Sequence, residues 1–176
     1  ALTDAQVELN RSPIWKVVLS RTSQTTRGYS NTRIISISQN KTADNHKAVI
    51  TLDDTDGALT ALDFEHYQAV ISRGFNTAVS RTAWASGTAY AIDDIVRPIT
   101  ANGYQYRCSV AGTSHASTEP TWPTSLGVTV TDNTVTWEMD GNSGEEYARL
   151  APLRVRTQEI VSSGAILQCV LRCIGQ

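Results

Sequence analysis

The chain has 176 residues, 40% of them hydrophobic, which is enough apolar material for at least one real core in one domain or two small ones. Its net charge of −2 and pI near 5.9 leave no overall basic field, so binding driven by release of phosphate counterions has no source and nucleic acid is not expected as a partner. No run approaches the roughly 20 apolar residues that span a bilayer, and the first residues lack the charged start and apolar core of a signal peptide, so no membrane insertion is expected.

In chain order, Thr3 and Gln6 have capping-box spacing and predict a short N-terminal helix that must stop before Pro13. Ile14-Trp15-Lys16-Val17-Val18-Leu19 is rich in β-branched and aromatic residues and predicts a strand, followed by a polar loop or edge hairpin from Ser20 to Asn31. Arg33–Ser38 and Lys47–Leu52 alternate with period 2 and should pair. Asp53-Asp54-Thr55-Asp56-Gly57 reads as a turn. A calcium loop of the EF-hand type would need an acidic first ligand where Leu52 stands and a bidentate Glu farther on. Tyr67–Phe75 is a further strand. Near the other end, Leu153–Val161, a turn at Ser162-Ser163-Gly164, and Ala165–Ile174 read as a hairpin.

The composition changes between about Thr82 and Asn142. This stretch holds three of the four tryptophans (Trp84, Trp122, Trp137), three of the six tyrosines (Tyr90, Tyr104, Tyr106) and three of the five prolines. It carries six acidic and two basic residues, against 11 acidic and 13 basic in the rest. Both of its ends fall in turn-like sequence of the kind that tolerates insertion. The domain reading is therefore a discontinuous β structural domain, 1–81 plus 143–176, interrupted by a small module at 82–142. The fold class expected is mostly β: an antiparallel sandwich or barrel-like domain with an aromatic-rich β module inserted in a loop. Inside the module, Asp94–Pro98 leads through Asn102-Gly103 to Tyr104–Val110 as one hairpin, and Val128–Val130 turns at Thr131–Asn133 into Val135–Met139 as a second. Four short strands make a small core, so the aromatic rings must supply much of it.

Little in the chain points to chemistry. His46, His66 and His115 are scattered without metal-ligand spacing, and there is no Gly-x-Ser-x-Gly, no His-Glu-x-x-His and no phosphate-cradling Gly-rich loop. Glu119 and Glu138 are carboxylates that a glycosidase could pair, but a module of this size offers no deep cleft for them. No catalytic residue, metal or cofactor is expected. Of the three cysteines, Cys169 and Cys173 stand i, i+4 on one strand, about 13 Å apart, too far for a disulfide within it. All three thiols are expected to be buried and free.

The order Trp84, Tyr90, Asp94-Ile95-Val96, Asn102-Gly103, Tyr104-Gln105-Tyr106 resembles the small chitin- and cellulose-type carbohydrate-binding modules. The continuation Ala111-Gly112-Thr113-Ser114, Glu119-Pro120-Thr121-Trp122-Pro123 and Gly127–Trp137 resembles the version carried by bacteriophage tail proteins and tail fibres. Asp93 stands where that family usually has Gly, and His115 where Gly often follows Thr-Ser. The resemblance implies sugar binding by stacking of pyranose rings on exposed aromatics, which makes Trp84, Tyr90, Tyr104 and Trp122 the candidate carbohydrate contacts, each with a packing role as its alternative. Tyr106 and Trp137 are expected in the core.

The flanks, through Arg11–Val17, Arg33–Ile37, Ala48–Leu59, Val70–Gly74 and Tyr147–Leu153, resemble the N-terminal β domain of large tail or baseplate-type proteins of tailed phages and prophages. Those proteins are usually much longer, which fits an excised domain or a processed piece. The resemblance implies a non-enzymatic structural component of a phage tail tip, located in the virion. Its implied partners are other phage tail proteins, a homo-oligomeric ring and a host-surface polysaccharide. The alternatives are a pure tail-assembly domain, or a secreted bacterial polysaccharide-binding protein.

Overall fold

The computed structural model describes residues 12–42, 45–164 and 166–175, and the helix expected around Thr3–Gln6 lies outside them. Among the described residues there is no helix; the fold is the antiparallel β class that the alternating sequence predicts. The strands are β1 (Ile14–Ser20), β2 (Arg27–Ser30), β3 (Ile34–Thr42), β4 (Asn45–Asp53), β5 (Gln68–Asn76), β6 (Thr82–Ala83), β7 (Ala89–Tyr90), β8 (Ile95–Arg97), β9 (Tyr104–Val110), β10 (Gly112–Thr113), β11 (Thr129–Asp132), β12 (Val135–Asn142), β13 (Glu145–Arg149), β14 (Leu153–Ser163) and β15 (Ile166–Gly175). They divide into two compact units: a central one, Gly74–Tyr147, and a flanking one, Ile14–Arg73 with Ala148–Gln176.

The flanking unit is built on the sheet order β2-β1-β5-β14-β15-β4-β3. Period-2 alternation sets its core. Cys169, Leu171 and Cys173 of β15 face inward with Ala48, Ile50 and Leu52 of β4, which lie directly across from them. Val17 and Leu19 of β1, Ala69 and Ile71 of β5, and Leu153 and Val155 of β14 complete the same cluster. Tyr29 of the edge strand β2 packs on this cluster, and so do Ile34 and Ile37 of β3 at the other edge. One core serving both ends of the strand order means that the sheet folds over on itself, sandwich- or barrel-fashion. Phe64 anchors the inside, edge-on to Tyr29 and Tyr67 at 6.2 and 5.6 Å. All three thiols are buried and free; burial raises Cys169 to about 11 and Cys173 to about 12.

The acidic run after β4 is consumed by its own turn. Asp54 is fully buried and accepts hydrogen bonds from the Leu59 amide (2.6 Å) and the Thr60 hydroxyl (2.7 Å), while Gly57 takes a left-handed φ of 69°. Asp53 accepts from the Thr55 amide, and Asp56 is paired with Arg33, which holds its carboxyl at about 2. No group of His, Cys, Asp and Glu among the described residues is arranged to hold a metal.

The central unit has a five-stranded sheet, β11-β12-β9-β8-β6, and a two-stranded β7–β10 pair. Two of the expected strands form the Asn102-Gly103 hairpin, with Val96 opposite Tyr106. The second hairpin turns one residue later than expected, at Asn133-Thr134, because Asp132 still pairs with Val135. β6 adds in parallel to β8, a short strand that sequence alternation does not mark. Strands β5 and β13 pair with each other and carry the chain out of and back into the flanking unit. They run so close that a Cβ on Gly74 would lie 1.9 Å from the Glu146 carbonyl oxygen, so only glycine fits there.

Candidate functional site: the aromatic ledge of the central unit

Alternation along β9 and β12 gives the central sheet two different faces. Tyr106, Cys108, Val135, Trp137 and Met139 point into an aromatic core with Trp84 and Val96. The other face carries Gln105, Arg107, Glu138 and Asp140, where Arg107 lies directly across from Glu138 and binds it at 2.7 Å. Arg107 also binds Asp93 at 2.9 Å, and its Nε lies 3.9 Å from Asp140. Gln105, fully buried, donates to Asp140 and to the Glu145 carbonyl and accepts from Arg81. Asp93 takes a left-handed φ of 72°, a conformation that Asp tolerates better than most residues, at the position where the resemblance expects glycine.

The four candidate sugar contacts fall in different places. Trp84 is 4% exposed, and its Nε1 donates to Asp132 Oδ2 at 2.8 Å. The same oxygen accepts from Trp137 Nε1 at 3.1 Å, and Oδ1 accepts from the His115 amide at 2.8 Å. Two indoles are therefore clamped inside on one buried carboxylate. Trp84 has no ring face to offer a ligand and is corrected to a packing residue: two bulky rings in a small core need a polar acceptor for their N–H groups, and Asp132 supplies it. By sequence alone Asp132 is a turn residue, within Thr131-Asp132-Asn133. Its signal is the need of buried indoles for an acceptor, which no local motif announces.

Tyr90 is half-buried, edge-on to Trp137 at 4.8 Å, and its hydroxyl accepts from the Ala85 amide at 2.9 Å. Tyr104, also half-buried, packs against the aromatic core at the start of β9, where its amide donates to Asn102 Oδ1. Trp122 is half-buried on the loop between β10 and β11. One side of its ring lies on Tyr106, with centroids 4.3 Å apart and planes tilted by 36°, and Trp137 follows at 5.9 Å. The rings Tyr90, Trp137, Trp122 and Tyr106 thus run in a chain in which Trp137 and Tyr106 are fully buried and from which Trp84 is absent.

Trp122 is held on three sides. Its Nε1 donates to Glu119 Oε1 at 2.8 Å, and the same oxygen accepts from the Ile99 amide at 2.7 Å, tying two loops together. Beneath it the Tyr106 hydroxyl accepts from Asn102 Nδ2 (2.8 Å) and donates to the Pro123 carbonyl (2.9 Å). Burial pushes the Tyr106 phenol above its ordinary range, opposed by the Asn102 hydrogen bond, so it stays a donor. Pro120 and Pro123 fix the backbone on either side of the ring. Exposed Asn102, Thr121 and Thr124 lie next to these contacts in sequence. Glu138 is engaged with Arg107 on the opposite face of β12, so the carboxylates Glu119 and Glu138 serve different faces. The ledge is an indole preoriented by Glu119 at its Nε1 and by the Tyr106 ring against its face. Such an arrangement can stack on an apolar ring face while polar neighbours set orientation.

Against family models, curated proteins and solved structures, the chain has no match.

Proposed function

We propose that this chain is a non-enzymatic structural component of a tailed-phage or prophage tail tip, and that its central unit contacts a host-surface glycan through Trp122. One observation carries the reading: Trp122 is kept at the surface by a lock on its Nε1 and a tyrosine beneath its ring, an arrangement that packing alone does not require. Ring order prepared in advance lowers the entropy lost on binding, which matters most for a shallow site with few contacts. Tyr104 and Tyr90, both half-buried, are the flanking contacts of this reading. The resemblance read in the flanking sequence segments implies a virion setting, where copies in a ring would add avidity to a weak site.

A second reading is favoured by a separate observation. Ile92 (61% exposed), Ile99 (56%) and Val110 (52%) leave large aliphatic side chains in solvent on the same unit, as a contact surface for neighbouring tail proteins would. The two readings separate on a panel of immobilised, multivalent glycans. The native full chain is expected to be retained by one glycan class, and Trp122→Ala to lose at least about tenfold in retention while its circular dichroism stays native. Trp122→Phe, which keeps a stacking ring, should lose less. Absence of retention for the native chain in its own oligomeric state would leave the assembly role standing instead.

A further inference from the structure

We propose that the flanking unit carries a binding site for an oxyanion group, a carboxylate or phosphate borne on a larger molecule, in the cleft formed by Arg21, His66 and Arg154. The cleft measures about 460 Å³ and is lined by Ser20, Arg21, Thr22, His66, Gln68 and Arg154. Every one of these side chains can donate a hydrogen bond and none is a carboxylate. Three strands that neighbour one another in the sheet, β1, β5 and β14, bring them together. Leu153 and Val155 are buried in the core, so alternation sends Arg154 to the outer face, where its Cα partner on β5 is Gln68. Ser20 ends β1, and Arg21 and Thr22 continue from it.

His66 is fixed by the backbone. It sits at φ 69°, with its amide donating to the Val155 carbonyl (3.0 Å), while the Val155 amide donates to the Tyr67 carbonyl (2.9 Å). The charges here are unspent. Among the described residues Arg33, Arg107 and Arg172 each pair with a carboxylate, whereas neither Arg21 nor Arg154 does. Arg21 reaches only a backbone carbonyl, that of Glu65, at 3.4 Å. An adjoining cleft of about 310 Å³ shares Arg21 and adds Arg27, giving room for the body of the molecule that carries the anion. Its one acidic lining residue, Asp63, has Oδ1 engaged by the Glu65 amide. The wider field agrees in sign: the flanking unit holds eleven Lys and Arg against seven Asp and Glu, a balance of +4, whereas Gly74–Tyr147 holds three against eight, a balance of −5. Paired guanidinium forks with hydroxyl and imidazole donors suit the planar or tetrahedral oxygens of such a group.

The test titrates the isotope-labelled full chain with inorganic phosphate, glucuronate and, as a neutral control, glucose, at constant low ionic strength, following amide chemical shifts. Saturating shifts confined to Ser20–Thr22, His66–Gln68 and Arg154 are expected with phosphate, glucuronate or both, and none with glucose. Saturation by phosphate alone assigns a phosphate ester, by glucuronate alone an acidic sugar, and by both an oxyanion of either origin. Arg154→Gln, at an exposed position, should weaken binding by about tenfold, the loss of one charge-assisted contact. Arg172→Gln, elsewhere on the surface, should change nothing. Shifts that fail to saturate, that spread equally to Arg33 and Arg172, or that persist in an Arg21→Gln, Arg154→Gln double variant would overturn the assignment.

Discussion

Three of the seven buried hydrophobic residues in the central core are aromatic, whereas the flanking core buries fifteen, of which only Phe64 and Tyr67 are aromatic. The flanking strands are long enough to fill their interior by simple alternation of aliphatic side chains. The central strands are short, so Trp84, Tyr106 and Trp137 must supply the volume. Rings of that size bring polar edges with them, and the consequence is Asp132, a carboxylate only 3% exposed that satisfies two indoles. The flanking unit buries a carboxylate too, Asp54, but it serves the backbone amide and hydroxyl of its own turn, whereas Asp132 serves the core rings themselves. The rings nearest the surface, Trp122 above all, become surface features held by the same network.

The contrast sharpens first at Trp137. Trp137→Ala removes a fully buried indole and should cost about 3–5 kcal/mol, while Leu171→Ala in the flanking core should cost about 2–5 kcal/mol; denaturant titration of each variant measures both. Asp132→Ala is the more discriminating change. It leaves two buried indole N–H groups without their acceptor and should destabilise by about 2–4 kcal/mol, far beyond what the small volume removed would predict. An unchanged denaturation midpoint for this variant would break the claim that the aromatic core depends on its acceptor. A further effect is expected with pH and belongs to the flanking core. Its thiols Cys169 and Cys173 are raised by burial to about 11 and about 12 from an ordinary 9.0. Their contribution to stability is therefore intact below about pH 9 and is lost as pH rises toward those folded values, by at most about 1.4 kcal/mol per thiol per pH unit. Thermal unfolding at pH 8 and pH 10 should show the decline, and replacing both thiols by Ala should flatten the profile.

Alternation made the flanking sheet legible in the sequence. Arg33–Ser38 with Lys47–Leu52, and the long hairpin ending at Ile174, pair as period-2 reading predicts, because one side of each strand is buried and register follows from that. The composition change near Thr82 likewise marks a stretch that lies within a separate compact unit. What periodicity could not convey was exposure. Trp84, Tyr90, Tyr104 and Trp122 are the same kind of residue in sequence, yet one is buried on Asp132 and the others are half-buried at the rim, a difference decided by partners 3 to 48 positions away. Lys16, in a strand whose pattern would put a lysine in water, is 1% exposed. The cleft at Arg154 was hidden for a similar reason, since its members come from three segments, each of which reads as ordinary polar surface.

Native-state hydrogen exchange on the full chain carrying Leu171→Ala tests the independence of the two cores most directly. Protection should fall across β1, β4, β5, β14 and β15 and remain near its original level in β9 and β12. A uniform loss of protection through both sets of strands would mean that the two interiors act as one, and would contradict their separation.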